Sequence, residues 1–171
     1  ADHWLPTWPG SETALFLAWA KMILERELYD RDFLENWVNW EDWLNADHPN
    51  EPCTFERFIE LLLEEYQEYT PEFAASECRI PVEQVIEAGE AVANAGSRLS
   101  THVWRSAAIG NLGGWQVART LHLLNVLTGS VGTEGGTSPN SWSKFSPELF
   151  DEPGDPDGWN ELHFPPEYTL A

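Results

Sequence analysis

The sequence predicts an α/β fold, rich in helix and short of strands, that gives way after residue 137 to an irregular arm. Three observations predict it. Arg98-Leu-Ser-Thr-His-Val-Trp104 is a short β-branched and apolar run set off by Ala95-Gly96-Ser97, the pattern of a buried strand. Gly110-Asn-Leu-Gly-Gly114 follows as a glycine turn, where missing Cβ atoms permit positive φ and a close approach to a ligand. From Trp115 to Leu127, Val117, Leu121 and Leu124 recur at helical spacing until Thr128-Gly129 stops the helix. Strand, glycines and helix in that order form the half-unit that receives phosphates in dinucleotide-binding folds, where unpaired N–H groups face an anion. The expected architecture is therefore a helix-rich, Rossmann-like partial domain with few parallel strands and right-handed crossovers.

The other elements follow in chain order. His3 to Trp8 reads as the end of a strand before Pro9-Gly10. Ser11 then stands as an N-cap with Glu12 in the first turn, and Leu15, Ala18, Trp19, Met22 and Ile23 make the core face of a helix stopping near Tyr29. Asp30 caps a short helix that holds Phe33, Leu34 and Trp37. Trp37, Trp40 and Trp43 recur every three residues and, on helical geometry, share one face for packing against a neighbouring domain. Asn45 to Pro52 is a polar surface loop. Thr54 caps a second long helix with the apolar stripe Phe55, Phe58, Ile59, Leu62, Leu63 and Tyr66. Its opposite face, with Glu56, Glu60, Glu64 and Glu65, is a solvated acidic surface, because no loop converges these carboxylates on an ion. Thr70-Pro71-Glu72 starts a short helix to Cys78, and Pro81 begins another, with Val82, Val85, Ile86 and Ala93 inward, that ends at Gly96. Beyond Gly136 the chain is proline-rich and acidic without periodicity, an extended arm or linker.

Composition excludes several classes. The 171 residues carry a formal net charge of −20 and nine Lys plus Arg, which argues against nucleic acid or an anionic membrane as partner, since each phosphate contact needs a cation. Cys53 and Cys78 lack CxxC spacing and cannot build a zinc or iron–sulfur site; a disulfide between them stays open. No apolar run reaches the length of a membrane span.

Few residues offer chemistry. His102 and His122 read as packed, hydrogen-bonded core histidines. Ser100 and Ser106 sit in no GxSxG elbow. Arg105 closes the apolar strand at its C-terminal end, where α/β sheets bind ligands, and suits a pyrophosphate or substrate anion as well as it suits a salt bridge. A nicotinamide dehydrogenase is disfavoured, because the GxGxxG fingerprint and a following acidic residue are missing.

Leu121-His-Leu-Leu-Asn-Val-Leu-Thr-Gly-Ser-Val-Gly-Thr-Glu-Gly-Gly136 resembles the "L..LTGnvG.pGG" segment of the dimethyl sulfoxide reductase family, molybdenum and tungsten oxidoreductases with a bis-pyranopterin guanine dinucleotide. Pro9-Gly-Ser-Glu12 with Ala14-Leu15 resembles its "PGTD.AL", and Leu28-Tyr29-Asp30 with Phe33 its "glyD..F". Tyr69-Thr-Pro-Glu-Phe-Ala-Ala75 and the Ile80-Pro81 helix resemble two further segments, so the likeness runs in order over roughly residues 4 to 137 and says least over 38–58.

The resemblance implies that residues 1–137 are a fragment of the third, α/β domain of a catalytic subunit, followed by the 138–171 arm. Such a fragment holds part of the molybdenum or tungsten bis-molybdopterin guanine dinucleotide and lines the funnel to the metal, without the metal's protein ligand and without activity of its own. Gly10, Ser11 and Glu12 match the positions that contact the guanosine end, with Ser and Glu in place of Thr and Asp. Ser106 and Gly110 fall at the positions that contact the pterin side after the buried strand, and Arg105, from its place at the strand's end, joins them as a cofactor-binding candidate. The implied partners are the rest of the catalytic subunit, whose earlier part carries any 4Fe-4S cluster, and an iron–sulfur electron-transfer subunit. A different class competes: a non-catalytic acidic interaction module, built on the Trp37/Trp40/Trp43 face and the aromatic arm.

Overall fold

The computed structural model describes residues 2–103 and 113–137. Within them the chain forms seven α-helices: α1 (Glu12–Glu25), α2 (Arg31–Trp37), α3 (Trp40–Asp47), α4 (Phe55–Glu65), α5 (Pro71–Cys78), α6 (Val82–Ala95) and α7 (Gly114–Leu127). A 3₁₀ turn, Gly96–Arg98, follows α6.

Helix α1 is the hub, packed against α7, α5, α6 and α4. Its five predicted core residues are all buried, joined by Ala20 and Leu24. It ends at Glu25 rather than near Tyr29. Glu27 takes a left-handed conformation with φ 55°, and the Leu28 N–H donates to the Ile23 carbonyl at 3.0 Å, which closes the last turn as a Schellman motif. Three predicted caps hold: the Asp30, Thr54 and Thr70 side chains accept from the N–H of Phe33, Arg57 and Phe73. Each satisfies an otherwise unpaired first-turn donor, worth about 1 kcal/mol.

Where α1 crosses α6 the backbones come close. The Trp19 indole N–H donates to the Val85 carbonyl at 2.9 Å, and a Cβ on Gly89, one turn on, would lie 2.6 Å from Trp19 Cδ1 and 2.9 Å from Met22 Sδ.

Four expectations need correction. The stretch from Arg98 is no strand among the described residues: Arg98 closes the 3₁₀ turn, Leu99 to Val103 pair with no neighbouring strand, and the bridge described is the isolated contact of Val131 with Thr137. An extended run becomes a strand only beside a ladder partner, and residues 99–103 bond instead to side chains. Likewise no strand is found over residues 3 to 8. The α/β expectation is thus met in its helices and not in its sheet.

The tryptophan face is split as well. Val38, extended at φ −105° and ψ 136°, separates α2 from α3, leaving Trp37 exposed while Trp40 and Trp43 turn edge-on to Phe55 and Phe58 at 5.8 and 5.7 Å. On α4 the buried set is Phe55, Phe58, Ile59 and Leu61; Leu62, Leu63 and Tyr66 are half-buried. The fourth correction concerns the histidines, since His102 and His122 both lie at the surface.

Cys78 is buried and Cys53 exposed, and both are free thiols. Burial pushes the Cys78 thiol up from its ordinary value, which removes thiolate at neutral pH. A maleimide reagent is expected to label Cys53 within minutes under native conditions and Cys78 only after denaturation; equal labelling in mass spectra of tryptic peptides would contradict this packing.

Candidate functional site

Two corners are expected to hold the cofactor, Pro9 to Glu12 and Arg105 to Gly114, and the first is one continuous turn. Gly10 adopts φ +91°, with open space where a Cβ would stand, and the Ser11 N–H donates to the Trp8 carbonyl at 3.0 Å. The Gly10 N–H donates to Glu12 Oε2 at 2.9 Å, which holds the carboxylate against its own turn and leaves Oε1 without a hydrogen bond among the described residues. Ser11 occupies the N-cap position but does not cap: its hydroxyl donates to the Trp8 carbonyl at 2.6 Å. Sequence alone suggests a cap because Ser is the favoured cap residue, yet a carbonyl three residues back competes for the same hydroxyl.

This corner is tied to the end of α5. The Trp8 N–H donates to the Cys78 carbonyl at 3.0 Å, the Cys78 thiol to the Ser11 carbonyl at 3.4 Å, and the Arg79 guanidinium lies 4.3 Å from the Trp8 ring centroid.

Of the second corner, Arg105, Ser106 and Gly110 lie outside the described residues. Its end, Gly113 at φ +78°, leads into α7. Helices α1 and α7 run in the same direction: Thr13 and Gln116, in their first turns, line one cavity, while at the other end the Asp30 N–H donates to the Leu127 carbonyl at 2.8 Å. Gly10, Ser11 and Glu12 therefore stand at the end of the helix pair at which α7 begins.

The "LTG" segment has an architectural role. Asn125 is fully buried; its amide donates to the Leu99 carbonyl and to Ser130 Oγ, each at 2.9 Å, and its oxygen accepts from the Thr101 hydroxyl. The Thr128 hydroxyl reaches Ser130 Oγ at 3.0 Å, and the Thr101 N–H donates to Thr137 Oγ1 at 3.0 Å. Gly129, at φ +62°, passes so close to the Asp30 carboxyl that a side chain there would collide with the cap of α2. The motif thus locks the exit of α7 to the chain before the glycine turn.

A cavity of about 650 Å³ opens between α1, the α4–α5 connection and α7. Leu17, Leu123 and Val126 give it an apolar side; Arg119 and His122 come from α7, and Tyr66 and Tyr69 face them. Burial, reinforced by Glu65, pushes the Tyr66 hydroxyl up from its ordinary value, and Arg119 opposes that shift in part. Sequence reasoning missed Tyr66 as a wall, and Tyr69 and Arg119 altogether; no local motif marks them, because two distant stretches, the α4–α5 connection and α7, bring them together.

Among the described residues no three His, Cys, Asp or Glu side chains converge on a possible metal position, and no helix is long and apolar enough to cross a membrane.

No family model matches the chain. It is 31% identical over 139 residues to the probable dimethyl sulfoxide reductase chain YnfF of Escherichia coli, covering 80% of this chain and 17% of that protein. To the dimethyl sulfoxide reductase DmsA of Haemophilus influenzae it is 28% identical over 147 residues, 85% of this chain and 18% of the relative. To a nitrate reductase of Symbiobacterium thermophilum it is 30% identical over 141 residues, 82% of this chain and 17% of the relative. The chain spans less than a fifth of the length of these relatives.

Proposed function

Because this chain belongs to the molybdopterin oxidoreductase family of dimethyl sulfoxide and nitrate reductases, we propose that it is a segment of a catalytic subunit that holds the guanosine end of a bis-molybdopterin guanine dinucleotide and lines the approach to the metal. The observation that carries the reading is the Gly10–Glu12 turn. Its glycine leaves open space for a ligand, and one carboxylate oxygen is pinned to the Gly10 N–H while the other stays open. A carboxylate placed in this way suits the N1–H and amino donors of guanine, since each oxygen accepts more than one hydrogen bond. The residues present therefore fit the group.

Glu12 and Ser11 hold the base end in this reading, and Arg105, Ser106 and Gly110 contribute from the second corner. When bound, the molybdenum or tungsten centre supplies transfer of an oxygen atom, or of a hydride or proton with two electrons; the protein supplies position and electrostatics. The metal's ligand and any 4Fe-4S cluster belong to the rest of the catalytic subunit, and an iron–sulfur subunit delivers the electrons.

Metal analysis of the intact protein, with nucleotide release in acid, tests the reading. Molybdenum or tungsten together with GMP is expected. Finding neither metal nor GMP would overturn it.

A further inference from the structure

We propose that the cavity between α1, the α4–α5 connection and α7 binds a small aromatic oxyanion, a carboxylate or phosphate carried on one ring. The inference rests on the cavity itself and goes beyond the cofactor reading.

Charge is the first argument. The chain has 29 Asp plus Glu against nine Lys plus Arg, yet none of the residues lining this cavity is acidic. The two smaller cavities described, of about 420 and 230 Å³, are lined by Asp47, Glu64 and Glu65 and by Asp2 and Glu87. Glu65 and Glu68 stand near enough to act on Tyr66 and Tyr69 but do not line the large cavity.

Pairing is the second. Lys21, Arg26, Arg31 and Arg57 each meet a carboxylate within 4 Å, as expected where acids outnumber bases. Arg119, like Arg79 and Arg98, has no such partner among the described residues, but of these three it alone lines the cavity, its guanidinium 5.8 Å from the Trp115 ring centroid. An unpaired guanidinium beside His122 and the Tyr66 and Tyr69 hydroxyls makes a wall of donors, which suits an acceptor with two or more oxygens.

Shape and polarity supply the third. About 650 Å³ lies within the range of small-molecule sites, on the order of 300–1,000 Å³. The Tyr66 and Tyr69 rings meet edge to face at 5.8 Å, and opposite them Leu17, Leu123 and Val126 give a planar apolar body a place to lie.

Calorimetric titration of the intact protein with benzoate and phenyl phosphate, and separately with phenol and inorganic phosphate, tests the proposal. One site is expected for each aryl oxyanion, with phenol and phosphate weaker by about tenfold or more, because each lacks half of the recognition. Arg119→Met is expected to weaken both aryl ligands by about tenfold or more, the loss of one charge-assisted hydrogen bond. Tyr69→Phe should weaken them less, and Arg26→Met, whose arginine pairs with Glu90, should leave them unchanged. Equal affinity in Arg119→Met, or phenol binding as tightly as benzoate, would overturn the proposal. So would absence of binding, whether or not Arg119→Met lowers the melting temperature; a lowered one would indicate a cavity already filled by polypeptide.

Discussion

Replacing Asn125 by alanine is expected to destabilise the protein by about 3 kcal/mol. The amide is fully buried and satisfies three partners at once, the Leu99 carbonyl and the hydroxyls of Ser130 and Thr101. Truncation leaves at least one buried carbonyl without a donor, at about 1–3 kcal/mol, and adds the cost of a small void. Ser130→Ala should cost less, because Thr128 and Asn125 keep other partners. Urea denaturation followed by tryptophan fluorescence measures both. A loss below about 1 kcal/mol for Asn125→Ala would mean that water enters and replaces the amide.

Gly89→Val is expected to cost about 3 kcal/mol or more, and Gly89→Ala about 1–2 kcal/mol, in the same assay. Two effects oppose each other in the alanine variant. Alanine gains up to about 1 kcal/mol over glycine in a helix interior. Against that, its methyl would sit 2.6 Å from Trp19 Cδ1, on a buried indole held by the Val85 carbonyl. A rigid ring tied by Nε1 at the same edge that the methyl meets cannot retreat without giving up that hydrogen bond, so the overlap prevails and α1 and α6 must separate. A stabilised alanine variant would show instead that the helices shift without cost.

The amino-acid order reveals the helices more readily than the contacts that join them. Helices α1, α4 and α7 are legible from a 3.6-residue apolar period, and α2, α4 and α5 from the caps Asp30, Thr54 and Thr70, because both signals are local. The notch at Gly89 is not legible: glycine inside a helical pattern reads as a weak point until its neighbour across the interface is known. Asn125 looks like an ordinary polar residue in an amphipathic helix, and its burial depends on Leu99 and Thr101, 26 and 24 residues away. His122 failed in the opposite sense, since an apolar run predicts burial and the tertiary packing turns that side of α7 outward. At the candidate site, the glycine of the first corner is legible as a turn, whereas the inward hold of Glu12 on Gly10 and the backward bond of Ser11 are choices among competing local partners.

The common direction of α1 and α7 has an electrical consequence. The peptide dipoles of two parallel helices add, and each amino end carries about half an elementary positive charge. In α1 the first turn contains Glu12, which offsets that potential, whereas the first turn of α7 contains no acid. The amino end of α7 at Gly113 and Gly114 thus has no acid of its own first turn to offset the dipole, in a chain whose formal charge is −20.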